Sequence, residues 1–125
     1  MEYISYDEFK KMDIRVGTIR AVEPVPETDK LLKCMVDFSE VDEAGPFDET
    51  QGRAPKLRQI VSGIHEYYPE YEKLIGKQVL YIVNLEPRTI KGIESQGMLM
   101  AVDGKDGGPI FLVPEVEVNG GSKVR

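Results

Sequence analysis

Three residue types that often carry structure or chemistry are scarce in this sequence. Its 125 residues include one cysteine, one histidine and no tryptophan. A single cysteine excludes an internal disulfide, and its place in an apolar run predicts that Cys34 is a buried thiol. One cysteine and one histidine cannot supply the four ligands of a structural zinc site, so we predict no metal and no cofactor.

The sequence also lacks long apolar stretches. No run approaches the ~20 apolar residues that a membrane-spanning helix requires, and the first five residues lack the basic and apolar regions of a signal peptide. A hydrophobic content of 41% with 30% charged residues is typical of a soluble cytoplasmic protein. The length suits one domain, so we predict a single cytoplasmic domain over residues 1–125 with no membrane partner.

Positive charge is in deficit, and the formal net charge is −6. Five of the acids fall in one stretch: Glu40, Asp42, Glu43, Asp48 and Glu49. Together with two prolines and two glycines they predict an acidic loop insertion at about residues 39–55. Basic residues come directly after this acidic stretch, so part of the surface can be positive although the chain as a whole is negative. Affinity for a polyanion should then be modest and strongly dependent on salt.

Hydrophobic periodicity and turn residues predict mainly strands. A capping box formed by Ser5 and Glu8 predicts a short helix from residue 6 to about 12. Strands are predicted at 13–25, 31–38, 57–64 and 78–83, shorter ones at 89–93 and 98–102, and a last apolar run at 109–113. Proline and glycine bound a short helix at 69–76. This order predicts an all-β, five-stranded OB-fold Greek-key barrel with a short helix between strands 3 and 4, plus N- and C-terminal extensions.

The stretch from residue 84 to 98 is rich in hydrogen-bond donors. After an apolar strand it carries Asn84, Arg88, Lys91, Ser95 and Gln96. Such groups suit phosphate and ribose oxygens, and no pair of them can serve as a nucleophile with its base. Ser62 and His65 are close in sequence, but no G-x-S-x-G elbow, P-loop or metal-ligand spacing accompanies them. The sequence therefore predicts a binding surface and no enzymatic activity.

Five motifs occur in the order of a known family: Phe9-x-x-Met12-Asp13-Ile14-Arg15-Val16-Gly17, Asp29-Lys30-Leu31-Leu32, Val61-Ser62-Gly63-Ile64, Asn84-Leu85-x-Pro87-Arg88 and Gly92-Ile93-x-Ser95-x-Gly97-Met98. In these motifs the chain resembles the dimeric tRNA-binding OB-fold family, over roughly residues 9–113. That family includes the C-terminal domain of methionyl-tRNA synthetases, free-standing tRNA-binding proteins, the endothelial-monocyte-activating cytokine domain and CsaA-type export chaperones. The acidic insertion departs from the family pattern.

The resemblance implies non-catalytic binding of tRNA by its shape, around the outer corner of the L. It also implies a homodimer, paired through N- and C-terminal segments, and a role as a trans-acting subunit or cofactor of methionyl-tRNA synthetase. The family's tRNA-binding positions map here onto Lys30, Lys33, Arg58, Asn84, Arg88, Lys91, Ser95, Gln96 and Met98.

Two alternatives stay open at this point. A CsaA-like export chaperone would hold unfolded polypeptide in the grooves of the dimer, and the net acidity and long loop favour this function. The basic residues at strand ends could also be ordinary solvated charges, and Met98 could belong partly to the core.

Overall fold

The computed structural model describes residues 1–40 and 56–125, so most of the predicted acidic insertion lies outside the described residues. Within these ranges a short helix, α1 (Tyr6–Lys10), precedes nine strands. The strands are β1 (Ile14–Pro24), β2 (Leu32–Glu40), β3 (Lys56–Ser62), β4 (Gln78–Ile82), β5 (Arg88–Ile90), β6 (Ile93–Ser95), β7 (Met98–Leu99), β8 (Ala101–Asp103) and β9 (Pro109–Phe111).

Five of these strands form one curled sheet in the order β3-β2-β1-β4-β7. β1 lies at its centre because its first half pairs with β4 and its second half with β2, both antiparallel. The segment after β6 then meets β3, where the Gln96 N–H donates to the Gln59 carbonyl at 2.8 Å. This strand order and the scarcity of helix confirm the predicted all-β, OB-like fold.

The curl of the sheet depends on two features of β1. Its pairing with β2 slips between Ile19 and Ala21, which is a β-bulge. Gly17 has no room for a side chain, because a Cβ there would lie 2.5 Å from Val36 Cγ1 and 2.6 Å from Phe38 Cε1. Bulges and strand glycines let neighbouring strands bend closely over each other, as a small barrel requires.

Apolar side chains from β1 to β4 fill the barrel. The side chains with almost no exposure are Tyr81, Ile19, Leu32, Ile60, Val36 and Val79. The rings of Phe38 and Tyr81 meet edge to face with centroids 5.4 Å apart. Cys34 is buried among them, as predicted. Removal of this apolar surface from water is the main driving force for the fold.

The short helix predicted at 69–76 is present as a 3₁₀ helix. Two 3₁₀ turns, His65–Tyr67 and Tyr71–Leu74, occupy this part of the chain. The segment between Pro69 and Gly76 is too short to hold α-helical geometry unaided. The Tyr68 ring stacks on Phe111 at 4.7 Å, and its hydroxyl donates to the Pro109 carbonyl at 2.8 Å. The turns therefore close one end of the barrel.

The predicted strand at 89–93 is wrong as a continuous strand, because residues 88–95 form a hairpin. Ile90 pairs with Ile93 across Lys91 and Gly92, whose φ angles are +51° and +81°. Positive φ at both central residues is characteristic of the type I′ turn, and glycine reaches it without steric cost. The predicted strand at 98–102 is likewise divided at Met100, where β7 ends and β8 begins.

The C-terminal end of the chain pairs with β1. The Val16 N–H donates to the Ser122 carbonyl at 2.9 Å, and the Val124 N–H donates to the Ile14 carbonyl at 2.8 Å. At the other end, α1 opens with the predicted capping box, because Ser5 and Glu8 bond each other's backbone N–H groups. The helix ends at Lys10, two residues earlier than predicted.

Candidate functional site

Two exposed cations lie on the β5–β6 hairpin. Arg88 opens β5 and Lys91 occupies its two-residue turn. Neither of them forms an ion pair within residues 1–40 and 56–125. The I′-like turn holds the hairpin in one register, since this turn type matches the twist of the strands. Arg88 and Lys91 therefore present their charges from a defined backbone.

Ser95 and Gln96 close the barrel with their side chains. The buried Ser95 Oγ accepts the Val61 N–H at 3.0 Å and donates to the Gly97 carbonyl at 3.2 Å. The Gln96 Oε1 accepts the Gln59 N–H at 2.9 Å. β3 is at the edge of the sheet and pairs with β2 on one side. On its other side, these bonds take the place of a neighbouring strand. The polar groups of both residues are thus directed toward β3.

Arg58 is bonded to three other parts of the fold. Its Nε and Nη2 donate to the two carboxylate oxygens of Glu40 at 2.7 and 3.1 Å. Its Nη1 donates to the Val83 carbonyl at 2.7 Å and to the Gln96 carbonyl at 3.1 Å. Four of the five N–H donors of the guanidinium are therefore already engaged. Hydrogen bonding to Arg58 holds the pKa of Glu40 below its usual range.

Asn84 fastens the segment after α1 to the end of β4. Its Oδ1 accepts the Asp13 N–H at 2.9 Å, and its Nδ2 donates to the Lys11 carbonyl at 2.6 Å. The Val83 N–H adds a bond to the Asp13 carbonyl at 2.8 Å. Asp13 in turn accepts from Arg15, which lowers the pKa of the Asp13 carboxyl. Asn84 uses both ends of its amide in these contacts.

Lys30 and Lys33 lie beside the C-terminal end of β3. Lys30 is exposed between β1 and β2, and its carbonyl accepts the His65 N–H at 3.0 Å. Lys33 is half-buried on β2 and forms an ion pair with Glu23. Lys33 is the register partner of Val61, so both side chains are on the same face of the sheet.

A cleft of about 320 Å³ lies between the end of β3, residues 85–90 and residues 95–99. Met98, which is 45% exposed, and Leu85 are among the apolar residues that line it. Arg88 also lines the cleft, and Lys91 follows at the hairpin tip. The structure thus brings Arg88 and Met98 together at this cleft, with Lys91 at the tip of the hairpin that carries Arg88 and Lys33 next to Val61 in the sheet.

The nine predicted positions therefore divide into two groups. Four bond distant segments of the protein with their side chains: Arg58, Asn84, Ser95 and Gln96, of which Ser95 is buried and Asn84 is exposed. The other five are at least partly exposed and form no such bond within the described residues: Lys30, Lys33, Arg88, Lys91 and Met98. Sequence reasoning missed the internal partners, because hydrogen bonding between distant segments leaves no local pattern. It also missed Leu85 and Gly63 as cleft residues, although both belong to the motifs of the family resemblance.

Other reactive groups in the described residues are isolated. Cys34 is buried, and burial raises the pKa of its thiol to about 11. The His65 ring meets Tyr71 edge to face at 5.6 Å. No group of three or more His, Cys, Asp or Glu side chains suited to a metal occurs in residues 1–40 and 56–125. In the same ranges no helix is long and apolar enough to cross a membrane.

The sequence of this chain matches a known domain family and known proteins. The family model of the tRNA binding domain matches residues 47–123. Methionine–tRNA ligase of Porphyromonas gingivalis strain W83 is 43% identical over 124 residues, which cover 99% of this chain. The same match covers 16% of that ligase, so this chain corresponds to a small part of its curated relative.

Solved structures share the fold over nearly the whole chain. The MetRS related protein from Pyrococcus horikoshii has a TM-score of 0.79 and 35% identity, with all of both chains covered. The CsaA chaperone protein from Picrophilus torridus has a TM-score of 0.76 and 27% identity, and covers 98% of this chain and 100% of its own. The barrel and its flanking segments are therefore common to these proteins.

Proposed function

The chain belongs to the tRNA binding domain family, and on that premise we propose that it binds folded tRNA without catalysing a reaction on it. In this proposal, residues 1–125 form one binding domain, and the protein acts in the cytoplasm. The observation that carries it is the pair Arg88 and Lys91, two exposed cations on one short hairpin whose first strand borders the cleft. Cations fixed at a defined spacing suit the phosphates of an RNA whose own shape is fixed.

All nine predicted positions belong to the proposed site, in two roles. Lys30, Lys33, Arg88, Lys91 and Met98 are proposed to contact the RNA. Arg58, Asn84, Ser95 and Gln96 are proposed to position the contacting residues, because their hydrogen bonds hold residue 84 and residues 95–97, on either side of the hairpin that carries Arg88 and Lys91, against the rest of the barrel. Folded RNA is recognised largely through phosphates and 2′-hydroxyls, which needs positioned donors more than a row of aromatic rings.

Salt dependence tests this function directly. Three to four phosphate contacts predict that log K falls with log[salt] with a slope of about −3 to −4. Between ~50 mM and ~200 mM salt the affinity for tRNA should therefore drop about a hundredfold. A single-stranded RNA of the same length and composition is the matched control, and it should bind more weakly at both salt concentrations. No binding of folded tRNA at ~50 mM salt would overturn the proposal.

The homodimer is also a proposal, and it rests on the N-terminal surface. Met1, Tyr3, Ile4 and Tyr6 are exposed apolar or aromatic residues within six positions. A second cavity, of about 440 Å³, lies between α1 and the C-terminal residues Lys123–Arg125. A second copy would remove this apolar surface from water. In sedimentation equilibrium the chain should behave as a dimer, and Tyr6→Glu should shift it toward monomer. Tyr67→Glu, which changes an exposed tyrosine outside this surface, should not.

A link to methionyl-tRNA synthetase is proposed from the relatives. Methionine–tRNA ligases contain the matching segment as 16% of their length. A separate chain with this segment could raise the local concentration of tRNA near a synthetase, as a trans-acting cofactor does. Adding the chain to a methionyl-tRNA synthetase should lower the KM for tRNA and leave kcat unchanged. An unchanged KM at saturating chain would contradict this part of the proposal.

Binding of unfolded polypeptide is the second candidate function. It is favoured by the similarity to the Picrophilus torridus CsaA chaperone and by the exposed apolar residues Tyr3, Ile4 and Tyr6. The two functions separate in one assay. A chaperone that binds unfolded polypeptide should suppress aggregation of an unfolded client equally well with and without added tRNA. A protein that only binds tRNA should not suppress aggregation.

A further inference from the structure

The cleft beside Arg88 differs in chemistry from the surface around it. Its walls include apolar side chains from three segments: Val61 near the end of β3 and Ile64 just after it, Ile90 on the hairpin, and Leu99 on β7. Leu85 and Met98 are exposed at its opening. An apolar cleft of about 320 Å³ is at the small end of the range for ligand sites, so it suits one flat ring system and not a folded surface.

Charge at the cleft points to an anionic, ring-bearing occupant. Arg88 is the one basic residue and Glu86 the one acidic residue among the described residues that line it. Lys91 extends the positive charge along the hairpin tip. A cation at the opening suits a phosphate, and a carboxylate in the lining suits a ring that carries an amino donor.

Gly63 is an exposed residue in the lining of the cleft, with open space around it. A Cβ built on Gly63 would meet no atom within 4 Å, in contrast to Gly97, where a Cβ would lie 3.1 Å from Ile60 Cδ1. Gly63 also lies outside the residues with positive φ, so a side chain there is compatible with its backbone. A flat ring could therefore enter without moving the barrel, and a bulky residue at 63 could block it.

We propose that this cleft takes one unstacked nucleobase of the bound RNA, with its phosphate held by Arg88 and Lys91. This inference rests on the proposed tRNA binding and adds a base contact to a surface that otherwise touches backbone. The apolar walls enclose the faces of the ring, and the Glu86 carboxylate accepts its amino hydrogens. A base with an amino group, such as cytosine, is therefore preferred over uracil.

The test uses ¹H–¹⁵N NMR titration of the full chain with CMP, UMP and inorganic phosphate at millimolar concentration. CMP should shift the amide signals of residues 61–64 and 97–99 together with those of Arg88 and Lys91. Phosphate alone should shift only the last two, and UMP should bind more weakly than CMP. N-acetyl-leucinamide, a peptide-like probe, should leave the cleft signals unchanged.

The matched variants are Gly63→Leu, which fills the cleft, and Gly63→Ala, which leaves it open. Gly63→Leu should abolish the CMP shifts at the cleft and weaken tRNA binding about tenfold, the loss of one base contact. Gly63→Ala should bind CMP and tRNA as the unmodified chain does. The titration of the unmodified chain decides the proposal even if Gly63→Leu does not fold.

Three results of the titration would overturn the inference while leaving tRNA binding intact. They are no shift of the cleft signals with CMP, equal binding of CMP and UMP, and a shift of the cleft signals with N-acetyl-leucinamide but not with CMP. Unchanged tRNA affinity in a folded Gly63→Leu variant would do the same. Failure of the parent proposal is a different observation, namely no binding of tRNA by the unmodified chain.

Discussion

The Arg58 guanidinium donates hydrogen bonds to both carboxylate oxygens of Glu40, with nitrogen–oxygen distances of 2.7 and 3.1 Å. The pair joins the end of β2 to the start of β3, directly beside residues 41–55. The guanidinium also lies 5.7 Å from the centroid of the Phe38 ring, so its face covers one end of the core. Arg58, which the sequence predicts to contact RNA, thus uses its guanidinium to hold parts of the fold together.

Arg58→Ala should destabilise the protein, because it leaves the Glu40 carboxylate and two carbonyls without their donor. Hydrogen bonds to charged groups contribute about 1.5–3 kcal/mol, and we expect a loss of that size in urea-induced unfolding. Arg58→Lys keeps the charge but not the two-pronged geometry, so it should fall between Ala and the unmodified chain. A stability change below ~0.5 kcal/mol for Arg58→Ala would contradict the structural role.

Arg88→Ala and Lys91→Ala should show the opposite behaviour. Each should weaken tRNA binding by about tenfold and reduce the salt slope by about 1, since one phosphate contact is lost. Urea stability should stay within ~0.5 kcal/mol of the unmodified chain, because neither side chain has an ion-pair partner among the described residues. Lys105→Ala, which removes an exposed lysine from another hairpin, is the control. Equal loss of tRNA affinity in that control would point to net charge and not to this site.

Stability at acidic pH should report the Arg58–Glu40 pair. The pKa of Glu40 is lowered in the folded protein from a reference value of 4.5, chiefly by the hydrogen bond from Arg58. A lowered pKa means that the unfolded chain binds the proton first, so the contribution is complete above pH 4.5 and is lost as pH falls below it.

Glu40→Gln isolates this contribution. The difference in free energy of unfolding between Glu40→Gln and the unmodified chain should be constant above pH 4.5 and shrink at lower pH. Denaturant titrations at a series of pH values measure it. A difference that grows as the pH falls would have the wrong sign for this mechanism.

Asn84→Ala should loosen the N-terminal segment from the barrel. The variant loses the bonds to the Asp13 N–H and the Lys11 carbonyl, each with a typical net value of about 1 kcal/mol. Hydrogen exchange at the Asp13 amide should speed up more than exchange in β3. Asn84→Asp keeps the acceptor for Asp13, so it should protect that amide better than alanine does. Equal exchange in both variants would argue against the observed pairing.

The fold was predictable from the sequence because its signals are local. The alternation in β1 and the apolar run in β4 place those strands within one residue or so of the observed bounds. The hairpin at Lys91 and Gly92 was missed, since a Lys-Gly turn inside an apolar segment resembles a continuous strand. The division of the nine site residues was not predictable. Whether the Ser95 hydroxyl contacts an RNA or accepts the Val61 N–H depends on which strands meet in space, and periodicity carries no information about that.

The pairing of residues 14–16 with residues 122–124 has a consequence for how the protein folds. Val16 and Ser122 come from opposite ends of the sequence, yet their hydrogen bond completes the central strand. Joining such distant residues costs loop-closure entropy before any contact compensates for it. Contacts between residues far apart in the sequence slow folding, so we expect the strand pairing of residues 14–16 with residues 122–124 to form late.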